Sequence, residues 1–165
     1  MRIVDSMLGE IDQEAATTRR VLARVPENQL TWKPHAKSMS LGELALHIAM
    51  TPGLIAQFVA KDTFEMTGFK QPEATSSAEL MAALDTSVAQ AKATLNGFDD
   101  AAMGRSWSMI AGGKTVMTMP RAAVVRFIML NHWYHHRGQL SVYLRLLGVA
   151  VPSIYGPSAD ENPFS

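Results

Sequence analysis

The 165-residue sequence contains no cysteine. This absence excludes disulfide bonds, zinc–thiolate sites, iron–sulfur clusters and a cysteine nucleophile. If the protein carries out thiol chemistry, the thiol must therefore arrive with a substrate.

The sequence also lacks an excess of charge of either sign. The 15 Lys and Arg residues balance the 15 Asp and Glu residues, and the isoelectric point is about 7.0. A basic excess is the usual footprint of proteins that bind nucleic acid. We therefore expect no nucleic-acid partner.

A long hydrophobic run is missing as well. The most apolar stretch, residues 44–60, is interrupted by His47, Pro52 and Gln57 and is too short to span a bilayer. The first residues, MRIVDSMLGEIDQE, include four acids and do not resemble a secretory signal. We therefore expect a cytoplasmic protein with no membrane partner.

The size and composition are those of one globular domain. A chain of 18.0 kDa can bury roughly 70 % of the surface of its unfolded form, so it needs no disulfide to fold. Hydrophobic residues make up 47 % of the sequence, a typical globular value. We expect a single domain over residues 1–165.

Hydrophobic periodicity and capping signals predict four long helices. Pro52 and Gly53 lie inside the second helix and should kink or interrupt it. The second and third helices begin with S-x-x-E patterns that fit capping boxes, Ser40 to Glu43 and Ser76 to Glu79. The four helices are expected at about Arg2 to Arg24, Ser40 to Lys61, Ser76 to Asn96, and Pro120 to just before Gly148.

Four amphipathic helices of this length predict an all-α fold, a four-helix bundle. The link over residues 61–75 could reach about 50 Å when extended, so the second and third helices are either parallel or antiparallel. Between the third and fourth helices, Gly112-Gly113 predicts a turn. Its flanks, 107–110 and 115–118, could pair as a short hairpin.

The segment NHWYHHRGQ, residues 131–139, carries the most informative residues. On a helix, His132 and His136 lie about 40° apart and one turn from each other, on the same face. Val125, Ile128, Met129, Gln139 and Tyr143 share this face, which we expect to point into the core. Imidazoles in an inward stripe are costly unless they are paired, hydrogen-bonded or bound to a metal.

A third imidazole, His47, lies on the predicted inward stripe of the second helix. With His132 and His136 it would give a divalent ion three neutral nitrogen ligands and open positions, the arrangement of catalytic zinc sites. His135 points about 80° away from the pair, and we exclude it as a ligand. His35 lies in a loop and stays unassigned.

Other interpretations of these histidines remain open at this point. A hydrogen-bonded core histidine is more common than a metal ligand, and stacked surface histidines, a haem site or an interface would give the same i, i+4 spacing. The zinc-protease motif is excluded, because Trp133 occupies the position where that motif has Glu.

The sequence resembles the DinB-like family of metalloenzymes over nearly its whole length. The resemblance rests on a His in the second helix, on H-x-x-H-H-R-G-Q-L at 132–140, and on Y-L-R-L-L-G-V at 143–149. It also rests on V-P-S-I-Y-G-P at 151–157 and on E-N-Q-L-T-W-K-P at 27–34, which contains Trp32.

The resemblance implies a bundle in up-down-down-up order, a homodimer, and a metal triad at His47, His132 and His136. It implies zinc or nickel as the metal. It also implies thiol-dependent chemistry of the S-transferase type, with a low-molecular-weight thiol and a small-molecule substrate. Induction by DNA damage, recorded in the family name, does not imply DNA binding.

Two alternatives to a transferase stay open. One is a hydrolase with metal-activated water, and the other is a stress-related or interaction protein whose metal only stabilises the bundle. No carboxylate is expected in register beside the triad, although Asp99 or Glu161 could approach from a loop. Gln139 could orient a ligand or a metal-bound water, or make an interhelical hydrogen bond.

Arginines are frequent on the fourth helix. Arg126 and Arg137 are expected on a shared outward face, where they pair with carboxylates of neighbouring helices or bind an anionic partner. Arg121 is expected about three turns before the histidines, roughly 16 Å away and too far to take part in the site.

Overall fold

The computed structural model describes residues 1–68 and 70–164, and its four long helices lie close to the predicted bounds. The last helix has three consecutive parts, α5, a π-helical segment and α6. The helices are α1 (Ile3–Leu22), α2 (Leu41–Val59), α3 (Ser77–Asn96), the short α4 (Asp100–Gly104), α5 (Arg121–Val124), the π-helical segment (Val125–Asn131) and α6 (His132–Leu146).

Residues at the start of α2 and α3 explain where these helices begin. At Ser40 the hydroxyl accepts the N–H of Glu43, and the Glu43 carboxylate accepts the N–H of Ser40 at 2.7 Å, so the predicted capping box is confirmed. At α3, Ser76 Oγ accepts the N–H of Glu79 at 3.1 Å, while the Glu79 carboxylate accepts from Thr75.

The close packing of α2 on α3 fixes their relative direction. The N–H of Ala74 donates to Gly42 O, and the N–H of Gly53 donates to Ser87 Oγ at 2.8 Å. Residue numbers therefore increase together along both helices, which makes them parallel. Helix α2 runs through Pro52, so the interruption, one of the two outcomes predicted there, is wrong. Gly53 instead permits this close approach: a Cβ there would lie 2.9 Å from Ser87 Cα.

Contacts across the other helix pairs complete the up-down-down-up order. Helix α1 runs antiparallel to α3 and parallel to the last helix, which is itself antiparallel to α2. The contacts that establish these directions are Arg2–Asn96 and Asp12–Lys92, Glu10–Arg126 and Glu14–Arg137, and His47–His132 and Val59–Arg121.

A small three-stranded sheet accompanies the bundle. The predicted hairpin is confirmed and longer than expected, with antiparallel strands Ser106–Ala111 and Lys114–Pro120. Gly112 and Gly113 form its turn, and both have positive φ (55° and 73°), which glycine adopts at little cost. A third strand, Thr63–Glu65, pairs in parallel with the first strand of the hairpin and was not predicted.

The core lies between the four long helices. Trp133 and Trp107 are among its largest fully buried side chains, and each indole N–H donates to a carbonyl of α2, those of Ile48 and Phe58. In the described part of the chain, none of the helices is both long and apolar enough to cross a membrane.

The expected outward face of Arg126 and Arg137 is wrong for Arg137. Its side chain is 1 % exposed and forms an ion pair with Glu14 of α1, because the buried stripe of α6 passes through position 137. Arg126 is half-buried and pairs with Glu10, which also lies in α1. Both arginines therefore pair with carboxylates of a neighbouring helix, one of the two outcomes expected.

Candidate metal centre

The three predicted histidines meet between α2 and α6. His47 comes from α2, and His132 and His136 come from successive turns of α6. One ring nitrogen from each lies within 4.8 Å of the others, and His47 Nε2 is 2.9 Å from His132 Nε2. The ring centroids are 4.4–5.1 Å apart.

A hydrogen bond between the residues that follow His132 and His47 sets the alignment of α6 against α2. The indole N–H of Trp133 donates to the carbonyl of Ile48 at 2.9 Å. Trp133 follows His132 in the sequence, and Ile48 follows His47. Because this bond is buried, it holds the two helices at the height where the imidazoles face each other.

The histidines lie beside the core rather than inside it, which corrects the expected inward stripe. All three are half-buried. The buried residues of α6 are Trp133, Arg137, Leu140 and Leu144. Trp133 and Arg137 each follow a histidine of the cluster by one position, so the buried face is rotated relative to the histidines. The preceding π-helical segment, Val125–Asn131, departs from the 100° step on which the expectation was based.

Burial keeps the three imidazoles neutral. It lowers the pKa of His47, of His132 and of His136, and the neighbouring imidazoles lower the last two further. The pKa of His136 falls to about 4. The neutral imidazole is the form that binds a metal, so the cluster is in its ligating state at neutral pH.

Two glutamine amides lie behind two of the rings. Gln139 Oε1 is 2.7 Å from His136 Nδ1, so this residue contacts a histidine of the cluster rather than an interhelical partner. Gln71 Oε1 is 2.8 Å from His47 Nδ1. No local pattern in the sequence points to Gln71, because it lies in the link before α3 and its approach to α2 is a long-range contact.

No carboxylate of the described residues belongs to the cluster, as expected from the sequence. Glu161 forms an ion pair with Arg20, and Asp99 caps α4 by accepting the N–H of Ala102 at 2.7 Å. Glu43 lies one turn before His47, but its carboxylate serves the cap of α2. Three neutral nitrogens with no carboxylate of the described residues among them suit a divalent ion with open coordination positions.

A profile of the DinB family matches residues 1–163. The chain belongs to the DinB family. Its sequence is 26 % identical over 159 residues to the Bacillus subtilis (strain 168) protein YrdA, described as uncharacterized, and the match covers 96 % of this chain and 91 % of YrdA.

Two solved structures share the fold of this DinB-family chain. A DinB-like protein from Bacillus cereus ATCC 10987 superposes with a TM-score of 0.72 at 21 % identity, over 92 % of this chain and 97 % of that one. The DinB-like protein YjoA from Bacillus subtilis superposes with a TM-score of 0.68 at 20 % identity, over 90 % of this chain and 97 % of YjoA. The fold class inferred from the sequence is thereby confirmed.

An aromatic pair connects α6 to the loop before α2 in this DinB-family bundle. Tyr143, two turns after His136, packs edge-on against Trp32 with ring centroids 5.6 Å apart. The Tyr143 hydroxyl donates to Met39 O at 3.3 Å. The loop that precedes α2 is thus attached to the helix that carries two of the three histidines.

A groove runs between α2 and α3 with a volume of about 530 Å³, within the range of small-molecule sites. Its apolar lining includes Leu46 and Met50, which flank His47 along α2, and Pro72, which follows Gln71. Ser87 at its base is occupied by hydrogen bonds to α2. The groove therefore offers mainly apolar surface next to the segments that carry the cluster.

The remaining histidines lie outside the cluster. His135 is exposed, and none of its ring atoms belongs to the group of converging nitrogens, in agreement with its exclusion. His35 lies in the exposed loop before α2, where its Nδ1 accepts the N–H of Lys37 at 3.1 Å. Arg121 is buried and donates to the carbonyl of Val59, far along α2 from His47.

Proposed function

We propose that His47, His132 and His136 hold one divalent ion, zinc or nickel, and that the protein catalyses thiol-dependent S-transfer onto a small-molecule electrophile. The observation that supports this proposal is the convergence of three neutral imidazoles with no protein carboxylate in the described cluster. An ion held in this way keeps its full charge and open positions, so it lowers the pKa of a thiol that binds there.

The protein's own residues would bind and orient the reactants. The half-buried position of the histidines limits access by water, and the groove between α2 and α3 would hold the apolar part of the electrophile. In the transfer the thiol loses its proton, and its sulfur forms a bond to the electrophilic carbon. The leaving group departs with the electron pair of the broken bond and takes up a proton.

The absence of cysteine supports an external thiol. With no thiol of its own, the chain cannot form a covalent thioether intermediate, and the sulfur must come from a low-molecular-weight substrate. Among the described residues no carboxylate belongs to the cluster, which favours activation of the nucleophile by the ion over activation by a general base.

The test is a thioether assay on untagged protein. Metal-free and zinc- or nickel-loaded samples are mixed with a low-molecular-weight thiol and an activated aryl halide, and thioether formation is measured. We expect turnover only in the loaded protein, its loss in His136→Ala, and its retention in His135→Ala, the adjacent exposed histidine outside the cluster.

Two results would contradict the transferase proposal. Release of the leaving group without thiol would identify a hydrolase. No turnover with a panel of thiols and electrophiles, together with a large rise in melting temperature on metal addition, would identify a structural ion.

A further inference from the structure

We propose that Gln71 is a positioning residue that holds His47 in the Nδ1–H tautomer, with Gln139 doing the same for His136. The lone pair of each Nε2 is then directed at the centre of the cluster. The tautomers are a property of the metal-free protein. This inference therefore depends on the proposed metal site only for the functional role of the tautomers, which is to bind the ion.

The orientation of the Gln71 amide is fixed from its other side. Its Nε2–H donates to the carbonyl of Pro72 at 3.1 Å, and a carbonyl can only accept. The amide oxygen therefore faces the imidazole, 2.8 Å from His47 Nδ1. Since an amide oxygen also only accepts, Nδ1 must carry the hydrogen, and the tautomer follows from the hydrogen-bond network.

The segment that carries Gln71 is fastened to the start of the helix that carries His47. The carboxylate of Glu73 accepts a hydrogen bond from the hydroxyl of Ser40, the N-cap of α2. The N–H of Ala74 donates to Gly42 O in the first turn of α2. The position of the amide is thus set by α2 itself, so the amide and the ring keep their geometry together.

Gln139 provides the second acceptor in a less constrained way. Its Oε1 lies 2.7 Å from His136 Nδ1, three residues earlier on the same helix. Its side chain is exposed, and no described residue fixes the other end of its amide. We therefore expect a smaller effect from Gln139 than from Gln71.

The close pair of ring nitrogens then assigns the third histidine. His47 Nε2 holds a lone pair and lies 2.9 Å from His132 Nε2, so in the metal-free protein His132 must donate from Nε2. Among the described residues, His132 has no amide behind its Nδ1. The metal-free cluster is predicted to contain His47 and His136 as Nδ1–H tautomers and His132 as the Nε2–H tautomer.

The experiment is long-range ¹H–¹⁵N correlation spectroscopy of the ring nitrogens in the metal-free protein, at a pH where all three are neutral. We expect the mixed pattern above in the wild type. In Gln71→Ala, His47 should shift toward the Nε2–H tautomer, which the free histidine side chain prefers. Gln71→Glu should keep the Nδ1–H tautomer, because a carboxylate also accepts. Gln13→Ala, on the exposed side of α1, is the matched control and should change nothing.

Metal affinity provides the second measurement. Gln71→Ala should weaken zinc binding by about 10- to 100-fold, the usual cost of losing a hydrogen bond behind a ligating histidine, and Gln71→Glu should restore it. A wild-type His47 in the Nε2–H form, or the same tautomer in Gln71→Ala, would overturn the proposal. Unchanged zinc affinity in Gln71→Ala would also overturn it, while leaving the proposed metal site intact.

A failure of the metal site would look different. If the predicted tautomers are observed and respond to Gln71→Ala, but neither zinc nor nickel binds to the wild type, the positioning role stands and the proposed function fails.

Discussion

The last helix carries a polar cluster on each of two sides, and the two clusters are built from opposite kinds of chemistry. Toward α1, arginines meet glutamates: Arg137 pairs with Glu14, and Arg126 donates two hydrogen bonds to Glu10 at 2.6 and 2.7 Å. Toward α2, three neutral imidazoles meet one another. The first cluster contains its own counter-charges, and the second contains only like groups.

We infer that this difference separates a structural polar cluster from one that is suited to bind a metal. Arg137 lies between two tyrosine rings, those of Tyr134 and Tyr155, and donates to Thr18 Oγ1 at 3.1 Å, so its charge is largely compensated inside the protein. The three neutral imidazoles have no carboxylate or other counter-charge within the described cluster. We propose that their lone pairs bind a cation from outside the chain.

The largest expected effect is on the α1 side. Glu14→Ala removes the carboxylate from a guanidinium that is 1 % exposed, and an unpaired buried charge costs about 3–5 kcal/mol of unfolding free energy. Asp12→Ala is the control, because its exposed pair with Lys92 is worth about 0–1 kcal/mol. Denaturant unfolding of both variants measures the difference. Equal losses would show that the Arg137 pair is no more important than a surface ion pair.

The second effect concerns the α2 side. Zinc at a free concentration of about 100 times its dissociation constant should stabilise the metal-free protein by about 2.7 kcal/mol, or roughly 5–11 °C in melting temperature for a chain of this size. The gain should vanish in His132→Ala. It should be the same in Asp12→Ala, since distant sites contribute additively. A full zinc effect in His132→Ala would place the ion elsewhere.

The pH dependence of stability should separate the two clusters. Burial lowers the pKa of His136 from 6.5 to about 4, so the unfolded chain takes up this proton first. Its contribution to stability is present above pH 6.5 and is lost as the pH falls toward 4. The Arg126 hydrogen bond lowers the pKa of Glu10 below 4.5, so the contribution of Glu10 is lost only at more acidic pH.

Two variants of the metal-free protein test this separation. His136→Gln should flatten the curve of unfolding free energy between pH 6.5 and about 4, whereas Glu10→Gln should flatten it below about 4.5. Identical pH profiles for the wild type and His136→Gln would mean that burial does not depress the pKa of this histidine.

The smallest expected effect comes from Tyr134→Phe. The Tyr134 hydroxyl donates to Glu10 Oε1 at 2.7 Å, and burial raises its pKa. A hydrogen bond to a charged group contributes about 1.5–3 kcal/mol to the free energy of unfolding. The loss should be smaller than this in Tyr134→Phe, because Arg126 still donates to the Glu10 carboxylate. Zinc affinity should not change. A loss of zinc binding in Tyr134→Phe would show that the two clusters are coupled.

The sequence predicted what local periodicity determines. The four long helices, the glycine turn of the hairpin and the single face shared by His132 and His136 all follow from spacings within one element. His47 could be added because its helix carries one recognisable apolar stripe. Helix geometry and the resemblance to a known family were therefore sufficient to predict the triad.

What the sequence did not predict depends on contacts between distant segments. Gln71 reaches His47 across 24 positions, and Glu14 reaches Arg137 across 123. The burial of Arg137 depends on the packing of α1 against α6. The π-helical segment before His132 and the parallel strand Thr63–Glu65 also lack a local signal, since each is stabilised by packing against its neighbours.

We propose that the three imidazoles on the α2 side bind one divalent cation. Isothermal titration of metal-free, untagged protein with zinc and with nickel measures this binding in the wild type, in His47→Ala and in His135→Ala. We expect one ion per chain in the wild type and in His135→Ala, and none in His47→Ala. Binding that survives in His47→Ala, or no binding of either metal to the wild type, would contradict it.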